Sequence, residues 1–529
     1  MGARSDHQNI RCGARTAARW SAGLGAALAP ALVALAAAAQ EPRLDVREHT
    51  LANGMKVLIV PRRGAPTFAA HLRFNVGSVH ESPGRTGLAH LLEHMMFKGT
   101  RWIGTRDPET ELSLLDQSDH LREMVEAGRA RPAGGDPQQI AQWEARIADL
   151  EAQAKTYVVK NEWWEIYRRN GGVRLNASTG RDSTQYFVSL PKNRLALWAR
   201  VEADRMRDPV FREFYAERDV VLEERRQRVE TRPEGKLYEA LFAAAFVCLP
   251  YRHPIIGYEA DLRRYTRPAA AEFFRTYYAP NNAVLVLVGD LEPEATLQVI
   301  REHFEPVPRW EAPPPVRREC AAEPPGERRV AVPFAAQPRT VITYRTPPYG
   351  HPDRPGLGVA AMVLGVGRTS RLQQGPVEGS RLAFRASAGM FALQHAGLFV
   401  VEGSPRAPHT AQDLERALLR EVDRLADEAV AEAELERVRS QLDGAAIRAM
   451  QGDGALASLL AGAQAQAGDW RYLLEARRLA KAVTAADIQR LARQYLTPAN
   501  RTVAELVPTG EVPPRPAAGE TGDVTHGPR

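Results

Sequence analysis

The hydrophobic pattern of the chain mixes two spacings, one typical of strands and one typical of helices. Four segments rich in β-branched and aromatic residues predict strands, at 55–62, 68–76, 184–190 and 283–289. Apolar residues at helical spacing predict helices at 87–98, 192–207 and 212–230. We interpret this mixture of strands and helices as an α+β fold.

A long helical pattern interrupts this alternation. Residues 108–129 and 137–169 carry Leu, Ile or Trp among many charges, and a Gly- and Pro-rich loop separates the two stretches. We interpret the region from about 105 to 169 as a helical hairpin inserted into a domain. Its charges are expected to form a solvated face rather than a binding site.

A weak internal repeat suggests how the chain is divided. The pattern Y-x-x-P-x-N at 277–282 recurs at 495–500, each time before an apolar run. Residues 309–327 are rich in Pro and predict an extended linker. We therefore expect two related halves, at 40–308 and 328–510, followed by a disordered tail over 511–529.

The first 39 residues have the pattern of a secretory signal peptide. A basic stretch ends near Arg19, an Ala- and Leu-rich run follows, and Ala37 and Ala39 give a small-x-small exit. An uncleaved membrane anchor and a mitochondrial presequence are the alternatives, but the weakly hydrophobic run favours cleavage. We expect an exported, periplasmic protein without a stable membrane span, or a membrane-anchored one if the signal is retained.

Charge and cysteine content narrow the classes of function. The formal net charge is +6, but residues 1–39 hold four Arg and one Asp, so half of that charge lies in the predicted signal. No Lys/Arg stripe is interleaved with aromatic residues, and nucleic acid is therefore not an expected partner. Cys248 and Cys320 remain outside the signal, and either a disulfide or two unpaired thiols would fit the sequence.

The most informative motif is His90-Leu91-Leu92-Glu93-His94, which lies in the predicted helix 87–98. Residues i and i+4 share a helix face, so His90 and His94 can bind one zinc ion from the same side. Glu93 projects close to that face and can act as general base toward water that the zinc activates. The alternative to a zinc site is an amphipathic helix in which the two histidines only pack against their neighbours.

A catalytic zinc ion needs a third protein ligand and an open position. Glu217 and Glu224 lie two helical turns apart in the predicted helix 212–230, so the two carboxylates share one face. Glu223 lies about 100° away around that helix and should point elsewhere. Acidic helix faces are usually only solvated. The pair is a candidate for the third ligand because the zinc motif upstream requires one.

Together these motifs resemble the inverted zinc metallopeptidases of the M16 family, the pitrilysin, insulysin and mitochondrial processing peptidase group. Further matches occur in order along the chain. They are Gly87-Leu88-Ala89, the run 95–100 (MMFKGT), the run 171–179 (GGVRLNAST), the run 253–257 (HPIIG), the run 278–282 (YAPNN) and the run 288–290 (VGD). The resemblance covers about 45–508 and is strongest in the first half.

The resemblance implies a role for each matched residue. His90, His94 and Glu224 would hold one Zn²⁺ per chain, and Glu93 would be the general base. Glu217 would orient a ligand histidine, and Asn176 would lie in a segment that holds substrate as an added strand. The implied fold has two related halves, each an antiparallel sheet flanked by helices, which close around a chamber.

Two departures from the family pattern bear on function. The stretch between His94 and Glu224 is longer than usual, and the predicted helical hairpin accounts for the excess. The Arg and Tyr that hold substrate in the second half of single-chain or homodimeric members are replaced by Glu378 and Phe384, and Arg381 is shifted. We therefore expect a dimer in which a related partner chain supplies the Arg/Tyr pair.

The expected function is zinc-dependent endopeptidase hydrolysis of peptides or unfolded segments. Two alternatives remain open at this stage. One is a non-catalytic assembly or processing subunit of the same fold, and the other is a zinc hydrolase of non-peptide amides or esters. Cleavage of casein or of a quenched peptide separates the endopeptidase from both alternatives, because neither alternative hydrolyses peptide bonds.

Overall fold

The computed structural model describes residues 44–131 and 135–510 of the chain. The predicted signal peptide and the predicted tail lie outside the described residues. The strands are β1 (Arg47–Thr50), β2 (Lys56–Pro61), β3 (Thr67–Phe74), β4 (Val173–Thr179), β5 (Thr184–Pro191), β6 (Ala283–Gly289), β7 (Arg328–Phe334), β8 (Arg339–Thr346), β9 (Ala383–Ala392), β10 (Gly397–Pro405) and β11 (Arg501–Pro508).

The helices lie between and after these strands. They are α1 (Leu88–Met95), α2 (Pro108–Arg129), α3 (Pro137–Tyr157), α4 (Glu162–Arg169), α5 (Leu195–Arg207), α6 (Phe214–Arg225), α7 (Pro233–Ala245), α8 (Glu259–Leu262), α9 (Arg267–Tyr277), α10 (Pro293–Phe304), α11 (Arg354–Gly365), α12 (Ala411–Asp427), α13 (Glu432–Gln451), α14 (Asp453–Ala467), α15 (Tyr472–Ala482) and α16 (Ala485–Tyr495). No helix in the described part of the chain combines the length and the hydropathy that crossing a bilayer requires.

The strands form two sheets with matching topology. The first sheet has the order β1-β2-β6-β3-β5-β4 and the second has the order β7-β11-β8-β10-β9. Without β1, each strand of the first sheet has a counterpart in the second. The predicted α+β fold with two related halves is therefore confirmed, and the repeated Y-x-x-P-x-N pattern ends immediately before β6 in one half and β11 in the other.

The expectation that each sheet is wholly antiparallel is wrong in one detail. β6 pairs with β2 in parallel, and β11 pairs with β7 in parallel. In each half the last strand returns after a long helical crossover and lies beside the first long strand of that half. A crossover of that length permits parallel pairing, whereas the neighbouring strands joined by short connections are antiparallel.

Each half has its own core, but each sheet is also covered by a helix from the other half. The face of β3 that carries Phe68 and Leu72 belongs to the first core, and α14 from the second half packs on the opposite face. In return, α7 packs on β7 and β11, where Leu241 contributes to a third buried cluster. This exchange joins the two halves through apolar burial, which is non-directional and proportional to area.

The helical hairpin occurs where the sequence predicts it, with one correction. Helix α2 has the predicted bounds, but the pattern over 137–169 is split into α3 and α4. The split occurs because Val158 is extended and bridges to Thr105, and Asn161 has a left-handed φ of 59°. The two long helices pack against each other through a small apolar cluster that includes Val125 and Ile147.

The Pro-rich linker forms neither helix nor strand over 309–327. Several contacts fasten it to the first half, and two of them lie near its C-terminal end. Cys248 and Cys320 form a disulfide, which settles the alternative that the sequence leaves open. Three residues further along, the Glu323 carboxylate accepts hydrogen bonds from the backbone N–H groups of Val247 and Leu249, as well as from that of Cys248.

Candidate metal centre

Helix α1, which carries the HxxEH motif, starts at a glycine whose backbone no other residue would tolerate. Gly87 has a left-handed φ of 88°, and a Cβ atom there would lie 2.5 Å from the carbonyl oxygen of Ile256. Gly257, also left-handed, faces it from the other side of this contact. The close approach of two backbones fixes where the zinc-motif helix begins.

The N-terminus of α1 is capped by a side chain from outside the helix. Glu81 accepts hydrogen bonds from the backbone N–H groups of Gly87 (2.7 Å) and Ala89 (2.8 Å). These groups have no partner within the helix, so a carboxylate there satisfies them and interacts favourably with the helix dipole. Burial raises the pKa of Glu81 to about 8, although these hydrogen bonds act in the opposite direction.

The structure brings His90, His94 and Glu224 together from two helices that are far apart in sequence. One ligand atom from each residue lies within 4.8 Å of the others. Glu224 Oε2 is 3.3 Å from His94 Nε2 and 3.7 Å from His90 Nε2. Ligands about 2.0–2.1 Å from a tetrahedral zinc ion lie about 3.4 Å apart, so these two distances fit zinc in spacing and the three residues fit it in donor type.

The electrostatics of the cluster favour a cation. Burial by itself lowers the pKa of His94, but hydrogen bonds to Glu217 and Glu224 outweigh it and raise that pKa to about 9. Burial likewise opposes ionisation of Glu224, yet His94, His90 and nearby charges hold its pKa at about 2. Burial lowers the pKa of His90 to about 4, which keeps this imidazole neutral, as a metal ligand must be.

Glu217 lies on the far side of His94 from Glu224. Its Oε1 is 2.9 Å from His94 Nδ1, and its Oε2 is 2.6 Å from the Lys98 ammonium group. Burial opposes ionisation of Glu217, but these two partners hold its pKa at about 2. The carboxylate accepts a hydrogen bond from Nδ1–H and so leaves Nε2 of His94 free to coordinate a metal.

Glu93 is mostly buried and points to the strand that borders α1. Burial raises the pKa of this carboxyl, whereas a hydrogen bond from Thr179 and the charge of His94 lower it. Thr179 Oγ1 lies 2.6 Å from Glu93 Oε2. A carboxylate held in this way on the helix of His90 and His94 has the placement that a general base would require.

Arginines in the π-helical turn Arg226–Glu230, which follows α6, pair with the last two glutamates of that helix. Arg228 Nη1 lies 2.7 Å from Glu224 Oε1, so the carboxylate oxygen that faces away from the histidines is held by a guanidinium group. Glu223, by contrast, points away and pairs with the exposed Arg226. The helical geometry predicts this separation of Glu223 from Glu224.

Asn176 lies on β4, the last strand of the first sheet, and not in the metal cluster. Its side chain is exposed, and Oδ1 accepts the backbone N–H of Ala177 at 2.9 Å. The pairing of β4 with β5 shifts register between Val173 and Asn176. The outer edge of β4 is a sheet edge in the described chain, which is where a peptide could add as a further strand.

The second-half positions that depart from the family pattern lie outside this cluster. Glu378 is in a π-helical turn over Gln373–Gly379, and its carboxylate is 3.8 Å from Arg368. Phe384 is the second residue of β9 and has about half of its surface exposed, and Arg381 has a left-handed φ of 53°. None of these residues is among the three potential metal ligands of the described chain.

Several residues around the cluster are not predicted from the sequence. Lys98 and Thr179 fall within runs that carry the family resemblance, but the resemblance assigned no role to either residue. Glu81 and Arg228 lie outside these runs. Their contacts depend on a capping geometry and on a turn at the end of α6, neither of which has a characteristic residue spacing.

Two family models match the chain. The model described as Insulinase (Peptidase family M16) matches residues 56–116 and 155–259, and the model described as Peptidase M16 inactive domain matches residues 264–442. The first model leaves out the residues between 116 and 155, which form most of the helical hairpin of α2 and α3. The hairpin is therefore an addition to the part of the fold that the family shares.

Known proteins resemble the chain over most of its length. The zinc protease PqqE of Helicobacter pylori is 26% identical over 482 residues, which cover 87% of this chain and 92% of that protein. A probable mitochondrial-processing peptidase subunit beta of Arabidopsis thaliana is 23% identical over 491 residues, covering 89% and 80% of the two chains. A crystal structure of a protease from Helicobacter pylori superimposes with a TM-score of 0.74 at 25% identity, covering 88% of this chain and 100% of that one.

Proposed function

The chain belongs to the M16 family of peptidases, and from that premise we propose that it is a zinc-dependent endopeptidase. The observation that carries the proposal is the convergence of His90, His94 and Glu224 within 4.8 Å, with Glu93 on the same helix as the two histidines. Relatives named as zinc proteases support both the metal and the reaction class. One zinc ion per chain is proposed.

Each residue of the cluster has a distinct task in this proposal. His90, His94 and Glu224 hold the metal, and Glu217 keeps the His94 ring in the orientation and tautomer that coordination needs. When bound, zinc supplies Lewis acidity, which polarises a carbonyl group and lowers the pKa of water. Glu93 accepts a proton from the attacking water and delivers it to the amine that leaves, so the carboxylate is regenerated after each turnover.

The exposed edge of β4 is the proposed place for the substrate backbone. A peptide added to that edge would make main-chain hydrogen bonds, which grip any sequence and suit a peptidase better than an esterase. Asn176 is exposed on this strand and is proposed to contact the peptide. Because β4 ends at Thr179 beside Glu93, a peptide lying along it would pass close to the base.

Metal content and peptide cleavage of three variants test the proposal. Glu93→Gln should retain zinc and lose turnover by at least about 100-fold, because general base catalysis contributes that much. Glu224→Gln should lose zinc affinity. Glu223→Gln is the matched control, since this neighbour on the same helix points away from the cluster, and it should keep both zinc and activity. Robust turnover by Glu93→Gln would refute the role of this residue as base.

The same assays decide between the proposal and its alternatives. A wild-type chain that binds no zinc and cleaves no peptide would be a non-catalytic subunit of the same fold, a possibility that the inactive-domain model keeps open for the family. A chain that hydrolyses small esters or amides but leaves quenched peptides and casein intact would be a zinc hydrolase of another class. The intact ligand set in the first half favours the peptidase.

We further propose that the chain works as the zinc-bearing subunit of a heterodimer. Glu378 and Phe384 stand where an Arg/Tyr pair would help to hold substrate, and a relative named as a processing-peptidase subunit beta supports a partnership of this kind. Cleavage should rise when a related chain that carries the pair is added. Full activity of the isolated chain at any concentration would contradict the idea.

Export is proposed on two grounds. The first 39 residues have the composition of a signal peptide. The disulfide between Cys248 and Cys320 supports an oxidising compartment, because disulfides persist there and are rare in the cytosol. Fractionation of cells that express the full chain should place it in the periplasm, shortened at the N-terminus. Full-length protein in the cytosolic fraction would contradict this proposal.

A further inference from the structure

The hydroxyl group of Thr179 lies near two oxygen atoms that could accept its proton. It lies 2.6 Å from Glu93 Oε2 and 3.3 Å from the hydroxyl oxygen of Thr184. Thr184 is fully buried and lies 2.9 Å from the carbonyl oxygen of Val76, which can only accept. The ionised Glu93 carboxylate can only accept and lies closer than the Thr184 hydroxyl, so the Thr179 proton goes to Glu93, while Thr184 donates to the buried carbonyl of Val76.

This donation divides the Glu93 carboxylate into two unequal oxygens. Oε2 is occupied by the Thr179 hydroxyl, so Oε1 is the oxygen left to take a proton from water. A hydrogen bond to an ionised acceptor is short and strong, and 2.6 Å is in the range of such O–H···O⁻ bonds. The hydroxyl therefore holds both the rotamer of Glu93 and the choice of its reactive oxygen.

We propose that Thr179 is the positioning residue of the general base, an inference that rests on the proposed peptidase function. Thr179 does not contact the reacting atoms; it acts through Glu93. A displacement of the base by about 1 Å can cost two orders of magnitude in rate, which gives a single hydroxyl group leverage over turnover. We therefore expect removal of the hydroxyl to lower kcat and to leave KM unchanged.

The position of Thr179 in the fold adds a second consequence. It is the last residue of β4, and its backbone pairs with Thr184 of β5. Along β4, Ala177 and Thr179 turn toward the protein, whereas Asn176 and Ser178 are exposed. The strand proposed to receive the substrate backbone is thus the strand that holds the base, so the register of the peptide and the position of Glu93 are set by one element.

Two substitutions distinguish a positioning role from simple packing. Thr179→Val preserves shape and removes the hydroxyl, whereas Thr179→Ser preserves the hydroxyl and removes a methyl group. Thr156→Val is the matched control, because Thr156 is exposed on α3 and its hydroxyl caps only the nearby carbonyl of Gln153. Zinc content, kcat and KM for a quenched peptide are measured for all three variants and the wild type.

Thr179→Val should retain its zinc and its KM while kcat falls about tenfold or more. Thr179→Ser should recover most of kcat, and Thr156→Val should match the wild type. The proposal is overturned if Thr179→Val turns over as fast as the wild type, if Thr179→Ser falls as far as Thr179→Val, or if the loss of rate is explained by lost zinc.

A structural measurement decides the point independently of activity. Crystal structures of the zinc-loaded Thr179→Val and Thr179→Ser proteins should show Glu93 displaced in the first and in its wild-type place in the second. Glu93 unmoved in Thr179→Val would overturn the proposal. An inactive wild-type protein would contradict the proposed function instead, and the displacement of Glu93 would still decide the role of Thr179.

Discussion

His94 Nδ1 lies 2.9 Å from Glu217 Oε1, and His94 Nε2 lies 3.3 Å from Glu224 Oε2, so the two acids of α6 hold one imidazole from both sides. The helix spacing that places both carboxylates on one face also gives them different tasks. Glu224 meets the ring at the nitrogen that faces His90, and Glu217 meets it at the other. The arrangement explains why an E-x6-E pattern accompanies the zinc motif.

Replacing Glu217 with Gln should weaken zinc binding without abolishing it. The amide removes the charge that fixes the His94 tautomer, and loss of such an outer partner typically costs about 10–100-fold in metal affinity. Competition with a chromophoric chelator measures the effect. Glu223→Gln is the control on the same helix and should bind zinc as the wild type does; equal affinities of all three proteins would show that Glu217 does not orient the ring.

Replacing Glu111 with Gln should destabilise the first half. Glu111 on α2 and Arg212 form an ion pair in which both side chains are 1% exposed, with Nε 2.9 Å from the carboxylate. Removal of one partner leaves a buried charge, at a cost of about 3–5 kcal/mol in the free energy of unfolding.

Urea unfolding of Glu111→Gln measures this cost, and Glu109→Gln provides the comparison. Glu109 lies on the same helix, pairs with Arg101 and is largely exposed, so its loss should change stability by less than about 1 kcal/mol. A stability loss of similar size in the two variants would mean that the buried pair does not fasten the hairpin to the first half.

The stability of the protein should depend on pH through His71. Burial lowers its pKa from 6.5 to about 4, the nearby charge of Arg73 contributes in the same direction, and a hydrogen bond with Gln185 opposes both. The unfolded chain binds a proton more readily than the folded one between these two values. The stabilisation is therefore complete above pH 6.5 and is lost as the pH falls toward 4.

Comparison of the wild type with His71→Gln isolates this contribution. In the presence of EDTA, the wild-type free energy of unfolding should fall relative to that of the variant by up to about 1.4 kcal/mol per pH unit between pH 6.5 and 4. Unfolding curves at half-unit intervals measure the difference. A difference that stays constant over this range would show that His71 is protonated equally in both states.

Removal of the disulfide should lower stability measurably. Cys248 and Cys320 are 72 residues apart in sequence, and a cross-link over such a loop contributes about 4 kcal/mol in the chain-entropy account. Thermal unfolding of Cys248→Ala/Cys320→Ala should occur at lower temperature than that of the oxidised wild type. Identical transitions would contradict a stabilising role.

The sequence predicts the elements that carry the centre because their signals are local. The bounds of α2 and the position of α1 follow from apolar spacing. The pairing of His90 with His94 follows from helix geometry. The prediction that Glu224 meets the two histidines also needed a second helix and the family resemblance. The roles of these three residues remain predictions, which a measurement of bound metal tests.

The sequence contains no local signal for the exchange of helices between the two halves. Helix α14 is rich in Ala and Gly and nearly uniform around its circumference, so its pattern does not say which sheet it covers. It packs on β3, where Gly462 lies close to Arg73. Contacts such as Thr179 with Glu93 are of the same type, because they depend on tertiary placement rather than on residue spacing.

A zinc anomalous difference map from crystals of the zinc-loaded Glu93→Gln protein tests the central claim most directly. The account predicts one peak per chain, about 2.0–2.2 Å from His90 Nε2, His94 Nε2 and a carboxylate oxygen of Glu224. A peak at another set of residues, or a map without a peak at a zinc concentration that saturates related proteases, would contradict it.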